Sequence, residues 1–85
     1  MEGRWFPREV TGDLPLITLT GCEEVRVEQH RGLVAYQIQE IVFRSSAGEI
    51  HIEGNDLCLA RYASDEALVT GKIASVSLQK GREGR

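Results

Sequence analysis

Histidine, proline, cysteine and aromatic residues are all scarce in this chain: two His, two Pro, two Cys and five aromatics in 85 residues. Each scarcity removes a class of function. His30 and His51 stand in no HExxH pattern and in no short-spaced Cys/His pair, and Cys22 and Cys58 follow no zinc spacing, so no metal is expected. Two cysteines allow at most one disulfide, and an intracellular chain of this kind keeps both as thiols. There is no phosphate loop and no dinucleotide glycine pattern, which leaves no expected cofactor. No apolar run approaches the ~20 residues that span a bilayer, and the opening Met1 to Pro7 lacks the apolar centre of a secretory signal. The expected address is cytoplasmic. The formal charge is −3, and an acidic surface repels phosphate, which argues against nucleic acid. The sparse aromatics, Trp5, Phe6, Tyr36, Phe43 and Tyr62, offer no stacking platform on a basic sheet.

What is present is alternation. Apolar and polar residues exchange places with period two, the pattern of half-buried β-structure. Residues 1–13 show neither helical nor strand period and read as an extended N-terminal arm, with Trp5 and Phe6 as its sticky element. Residues 14–79 form one β-domain, and 80–85 a charged, solvated tail. Within the domain, Ile17 and Leu19 alternate up to Gly21, and Val25 and Val27 follow on a second strand. Gln29 to Gly32 is a turn. Leu33 to Ile38 is apolar on both sides, with Val34, Tyr36 and Ile38 in one row and Leu33 and Ala35 in the other. Tyr36 and Phe43, set among aliphatic neighbours, read as core. Residues 48–59 read as two short strands around a turn at Gly54. Asn55 or Asp56 could cap a helix through Ala67, but the alternation of Leu57 and Leu59 favours a strand, reversed by a loop at Ala63 to Glu66.

The alternating pairs repeat. They begin at Ile17, Val34, Ile50 and Ala67, and each is followed by a second pair: Val25/Val27, Ile41/Phe43, Leu57/Leu59 and Val76/Leu78. A glycine separates the pairs in three of the four units, at Gly21, Gly54 and Gly71. Four successive hairpins of this kind predict an all-β fold, a small antiparallel β-sandwich of about 7–8 short strands in hairpin succession. The alternative is a short β-solenoid of four stacked coils. Either fold leaves strand edges that must be paired or capped, so a homo-oligomer is a physical expectation.

No catalytic constellation stands out. His30, in a turn, and His51, on an outward row, read as solvated surface histidines. The acidic pairs Glu23/Glu24 and Asp65/Glu66 fall in turns, and no base is nominated to activate either thiol. The chain is therefore expected not to be an enzyme and to have no small-molecule substrate. A strand oily on both faces points instead to a covered surface, which nominates Leu33 and Ala35 as interface residues and Trp5 and Phe6 as a secondary anchor. The competing class is a small regulatory domain binding a metabolite or nucleic acid, which requires a concave or basic patch.

The run Asp13 to Gly21, together with Val27 to Tyr36, Ile50 to Gly54 and Val69 to Ile73, resembles the YabP/YqfC family of sporulation proteins, and within it the YqfC branch. The resemblance covers about residues 13 to 78, and His30-Arg31-Gly32 with Leu33 is its most specific segment. It implies a protein made in the mother cell of an endospore-forming bacterium and needed for the spore envelope. It also implies a membrane-protein partner of the sporulation machinery, a place at the forespore membrane, and no catalytic residues.

Overall fold

The computed structural model describes residues 14–80. Six strands follow one another: β1 (Leu16–Thr20), β2 (Glu24–Glu28), β3 (Leu33–Gln37), β4 (Glu40–Ser45), β5 (Gly48–Tyr62) and β6 (Glu66–Gln79). Their spatial order is β1-β2-β6-β5-β4-β3 in a single open sheet, and every neighbouring pair is antiparallel. The all-β expectation holds, with no helix among the described residues. The stacked coils of a solenoid do not form. The N-terminal arm at 1–13, with Trp5 and Phe6, and residues 81–85 of the tail lie outside the described residues.

The strand count is six where seven to eight were expected, and two glycines explain the difference. The first two repeat units are hairpins, β1–β2 and β3–β4, as the alternation suggested. In the third and fourth units the chain does not reverse at Gly54 or Gly71. Each unit is one continuous strand, 15 residues in β5 and 14 in β6. The single reversal between them is the loop at Ala63 to Glu66, closed by Ala63 N–H donating to the Glu66 carbonyl at 2.7 Å.

Gly54 and Gly71 mark bends in this long ladder. Register slips between Glu53 and Gly54, between Asn55 and Cys58, and between Leu59 and Arg61. Such bulges bend a strand and leave backbone groups without ladder partners. Those groups are satisfied from outside. The Gly71 and Ile73 N–H groups donate to the Glu23 and Cys22 carbonyls at 3.2 and 2.8 Å. Correspondingly, Gly54 and Leu57 donate to Gln39 and Ile38 at 3.1 and 2.9 Å. Each hairpin tip thus caps one bend, which meets the demand that interior amides be paired. The backbones approach so closely that a Cβ on Gly54 would collide with the Lys72 carbonyl, and one on Gly71 with the Asp56 carbonyl.

The bends fold one half of the sheet over the other. One half holds β1, β2, the start of β6 and the end of β5; the other holds β3, β4, the start of β5 and the end of β6. Val25, Val27, Ala67 and Val69 from the first share one buried cluster with Ile41, Phe43, Ile50 and Ile52 from the second. Leu57, at the bend, completes it. Tyr36, on β3, spans the two halves by accepting a hydrogen bond from the Leu59 N–H at 3.1 Å. The pair sequence read as eight strands is therefore a sandwich-like core built from one bent sheet.

If the bends require bare backbone, Gly54→Ala and Gly71→Ala should each lower stability by about 2 kcal/mol, read as a shift in urea midpoint, because a steric clash with backbone cannot relax cheaply. Ser75→Ala, at an exposed β6 position, should stay within about 0.5 kcal/mol. An unchanged midpoint for Gly54→Ala would restore the hairpin-turn reading.

Candidate functional site

His30 lies in the link from β2 to β3, which carries the chain from one half of the sheet to the other. Both ends of the link are tied down. Gln29 N–H donates to the Asp65 carbonyl at 2.7 Å, Arg31 N–H donates to the Arg44 carbonyl at 2.7 Å, and Arg44 N–H returns a bond to the Gly32 carbonyl at 2.8 Å. Gly32 holds a φ of 132°, a conformation closed to most side chains. The segment most specific to the family resemblance is thus a clasp between β4 and the β5–β6 loop.

The imidazole itself corrects the surface expectation, since His30 is only 3% exposed. Its ring stacks on Tyr62 with centroids 5.3 Å apart and packs against Phe43 at 5.1 Å. Phe43 and Tyr62 belong to opposite halves of the sheet, so the ring sits at their junction. Nδ1 accepts the Gly32 N–H at 3.0 Å, which places the ring proton on Nε2. That Nε2 is buried and has no hydrogen-bond partner among the described residues. An alternation pattern has no symbol for such a residue, because it lies in a turn yet faces inward.

His51 lies on the outer face and also has partners. Its Nδ1 is 3.0 Å from Glu40 Oε2 and its Nε2 3.1 Å from Glu49 Oε1. The Glu40 hydrogen bond, aided by Glu49 and opposed by partial burial, raises the pKa above the ordinary 6.5. Glu53, opposite Glu40 across the ladder, adds to the acidity of this face. Together with Gln37 and Asn55, these two carboxylates line an open polar depression. Among the described residues, no cluster of three or more His, Cys, Asp or Glu is arranged to hold a metal ion. Cys22 and Cys58 are exposed free thiols.

The expected interface residues Leu33 and Ala35 are half-buried, and Leu33 packs against the core. Phe43 is fully buried, as its neighbours implied, whereas Tyr36 is half-exposed and faces the other half of the sheet. The large apolar side chains exposed on and just beyond β3 are Val34, Tyr36 and Ile38. A register shift between Leu33 and Ala35 breaks the simple two-row reading of this strand. Leu14, just before β1, and Leu16 and Leu19 on it are similarly exposed. Both strands are edges of the described sheet.

Because the folded state raises the His51 pKa, protonation and folding favour each other. The Glu40–His51–Glu49 contribution is complete below pH 6.5 and disappears as pH climbs through the raised value. His51→Gln should therefore lose about 0.5–1 kcal/mol relative to the parent at pH 6 and less at pH 9, by urea denaturation at both pH values. A difference that grows with pH would contradict this geometry.

Comparison with known proteins agrees with the sequence resemblance. The YabP family model matches residues 14–85. The protein named YqfC from Bacillus subtilis (strain 168), described as uncharacterized, is 31% identical over 68 residues, covering 80% of this chain and 73% of its own length. No solved structure matches. A match over most of the chain, joined to a relative of this identity and coverage, places the protein in the YabP family.

Proposed function

We propose that this chain is a sporulation protein acting without catalysis, as a β-rich interaction module in building the spore envelope. Membership of the YabP family supports the biological setting. The physical role rests on one observation, the concentration of exposed large apolar side chains along two open strand edges. Edges of this kind offer backbone hydrogen bonds and side-chain contacts to another strand, the mode of recognition known as β-augmentation. The module self-associates and works in the mother cell with a membrane-protein partner at the forespore membrane. No helix among the described residues is long and apolar enough to cross a membrane, so that partner supplies the anchor in this reading.

Deleting the gene in its sporulating host should leave division normal but sharply reduce heat-resistant spores, with a defective envelope in thin-section electron microscopy. A Val34→Glu variant, altered at an exposed position of β3, should reproduce that defect while its purified form keeps the parental far-ultraviolet spectrum. Normal spores from the deletion strain would remove the sporulation role. Normal spores from a folded Val34→Glu strain would remove the β3 edge from it.

A further inference from the structure

We propose that β1 and β3 are equivalent assembly edges, and that copies of this chain join through them into an open polymer and not a closed dimer. This rests on the interaction-module reading and deepens its self-association by naming the two edges that pair and the open-ended assembly they give.

The first support is chemical. Residues 14–22 and 32–39 are the two longest stretches without a charged residue, in a chain that is 27% charged. They contain β1 and β3 respectively. Among the described residues, six of the eight exposed large hydrophobics lie in these stretches, from Val34 at 42% to Ile38 at 62%, so that apolar surface is concentrated at the edges. Natural edges are blunted by a proline, a bulge or short length, the last two of which β3 has, and most directly by lysine or an inward charge. Neither strand has one, and Pro15 stands just outside β1.

The second support is symmetry. β1–β2 caps the β6 bend through Cys22 and Glu23, just as β3–β4 caps the β5 bend through Ile38 and Gln39. β2 pairs with the first half of β6, and β4 with the first half of β5. A pseudo-twofold axis between β5 and β6 therefore exchanges β1 with β3. Whatever pairing one edge makes, the other edge can repeat on the opposite side of the molecule. A pairing repeated on both sides is not used up in a dimer, and unless the rotation per copy closes a ring, open chains follow.

The symmetry and the charge together choose the occupant. A foreign strand shaped for one edge leaves its counterpart bare, whereas a second copy matches both. Copies with a net charge of −3 repel one another through their bodies, and the uncharged edges are where that repulsion is weakest. Growth should accordingly increase with salt, which screens the repulsion and spares the apolar contact.

Sedimentation of the purified full chain, from tens to hundreds of micromolar, tests the proposal. The expected result is a weight-average mass that rises without a plateau and rises further from low to about 0.5 M salt, with elongated particles in negative stain. Thr18→Lys charges β1 and Val34→Lys charges β3, both at exposed positions. Each single variant should stop growth, at a dimer if like edges pair and at the monomer if β1 meets β3. The double variant should be monomeric with the parental circular dichroism and urea midpoint. Should either lysine unfold the chain, Leu16→Lys and Gln37→Lys, both at exposed strand positions, replace them. A parent that stays monomeric, or stops at a dimer, overturns the polymer, as does growth that survives in the double variant. A monomeric parent beside a deletion strain lacking heat-resistant spores would leave the interaction module standing and place a foreign strand on its edges.

Discussion

The bent ladder between β5 and β6 is the constraint on which the rest of the molecule depends. Two flat strands of 15 and 14 residues would carry β1–β2 and β3–β4 away from each other in opposite directions. Bending both near Gly54 and Gly71 brings the two halves face to face and lets Val25, Val27 and Val69 meet Ile41, Phe43 and Ile50. For so short a chain this is an economical way to enclose a core, since a small domain buries a smaller share of its surface than a large one. The same bends expose amides, and the hairpin tips cover them. Core formation and backbone satisfaction therefore depend on the same geometry.

His30 secures the closed arrangement at the opposite end from those caps. Its ring fills the junction between Phe43 and Tyr62, its Nδ1 fixes the Gly32 amide, and the flanking backbone binds Asp65 and Arg44. The link must cross from one half of the sheet to the other, and a ring that is flat, stackable and able to accept an amide proton suits that passage. The unpaired Nε2–H is disfavoured in a buried setting, by about 1–3 kcal/mol in ordinary cases. The ring contacts with Phe43 and Tyr62 offset part of that.

Much of the fold was legible in the sequence because alternation reports burial directly. Val25/Val27, Ile41/Phe43, Ile50/Ile52 and Ala67/Val69 are core residues, as their spacing implied. The four-unit repeat is also real, and it maps onto two hairpins and two bent strands related by pseudo-symmetry. The sequence does not distinguish a glycine that turns a chain from one that lets two bent strands touch, because both need a missing Cβ. Gly54 was misread for that reason. His30 and Tyr36 were misread for another: a turn residue can be buried and an edge residue can stay half-exposed even where it faces the other half of the sheet, and both depend on which strands become neighbours. The half-buried state of Leu33 and Ala35 likewise follows from β3 being an edge with a register shift.

Residue-resolved amide hydrogen exchange tests the bent ladder most directly. The amides of Leu57, Gly71 and Ile73 should exchange slowly, because their bonds to Ile38, Glu23 and Cys22 open only when the hairpin caps lift, and exterior amides of β1 and β3 should exchange quickly. Fast exchange at 54–57 and 71–73, as solvent-exposed hairpin turns would show, would contradict the account.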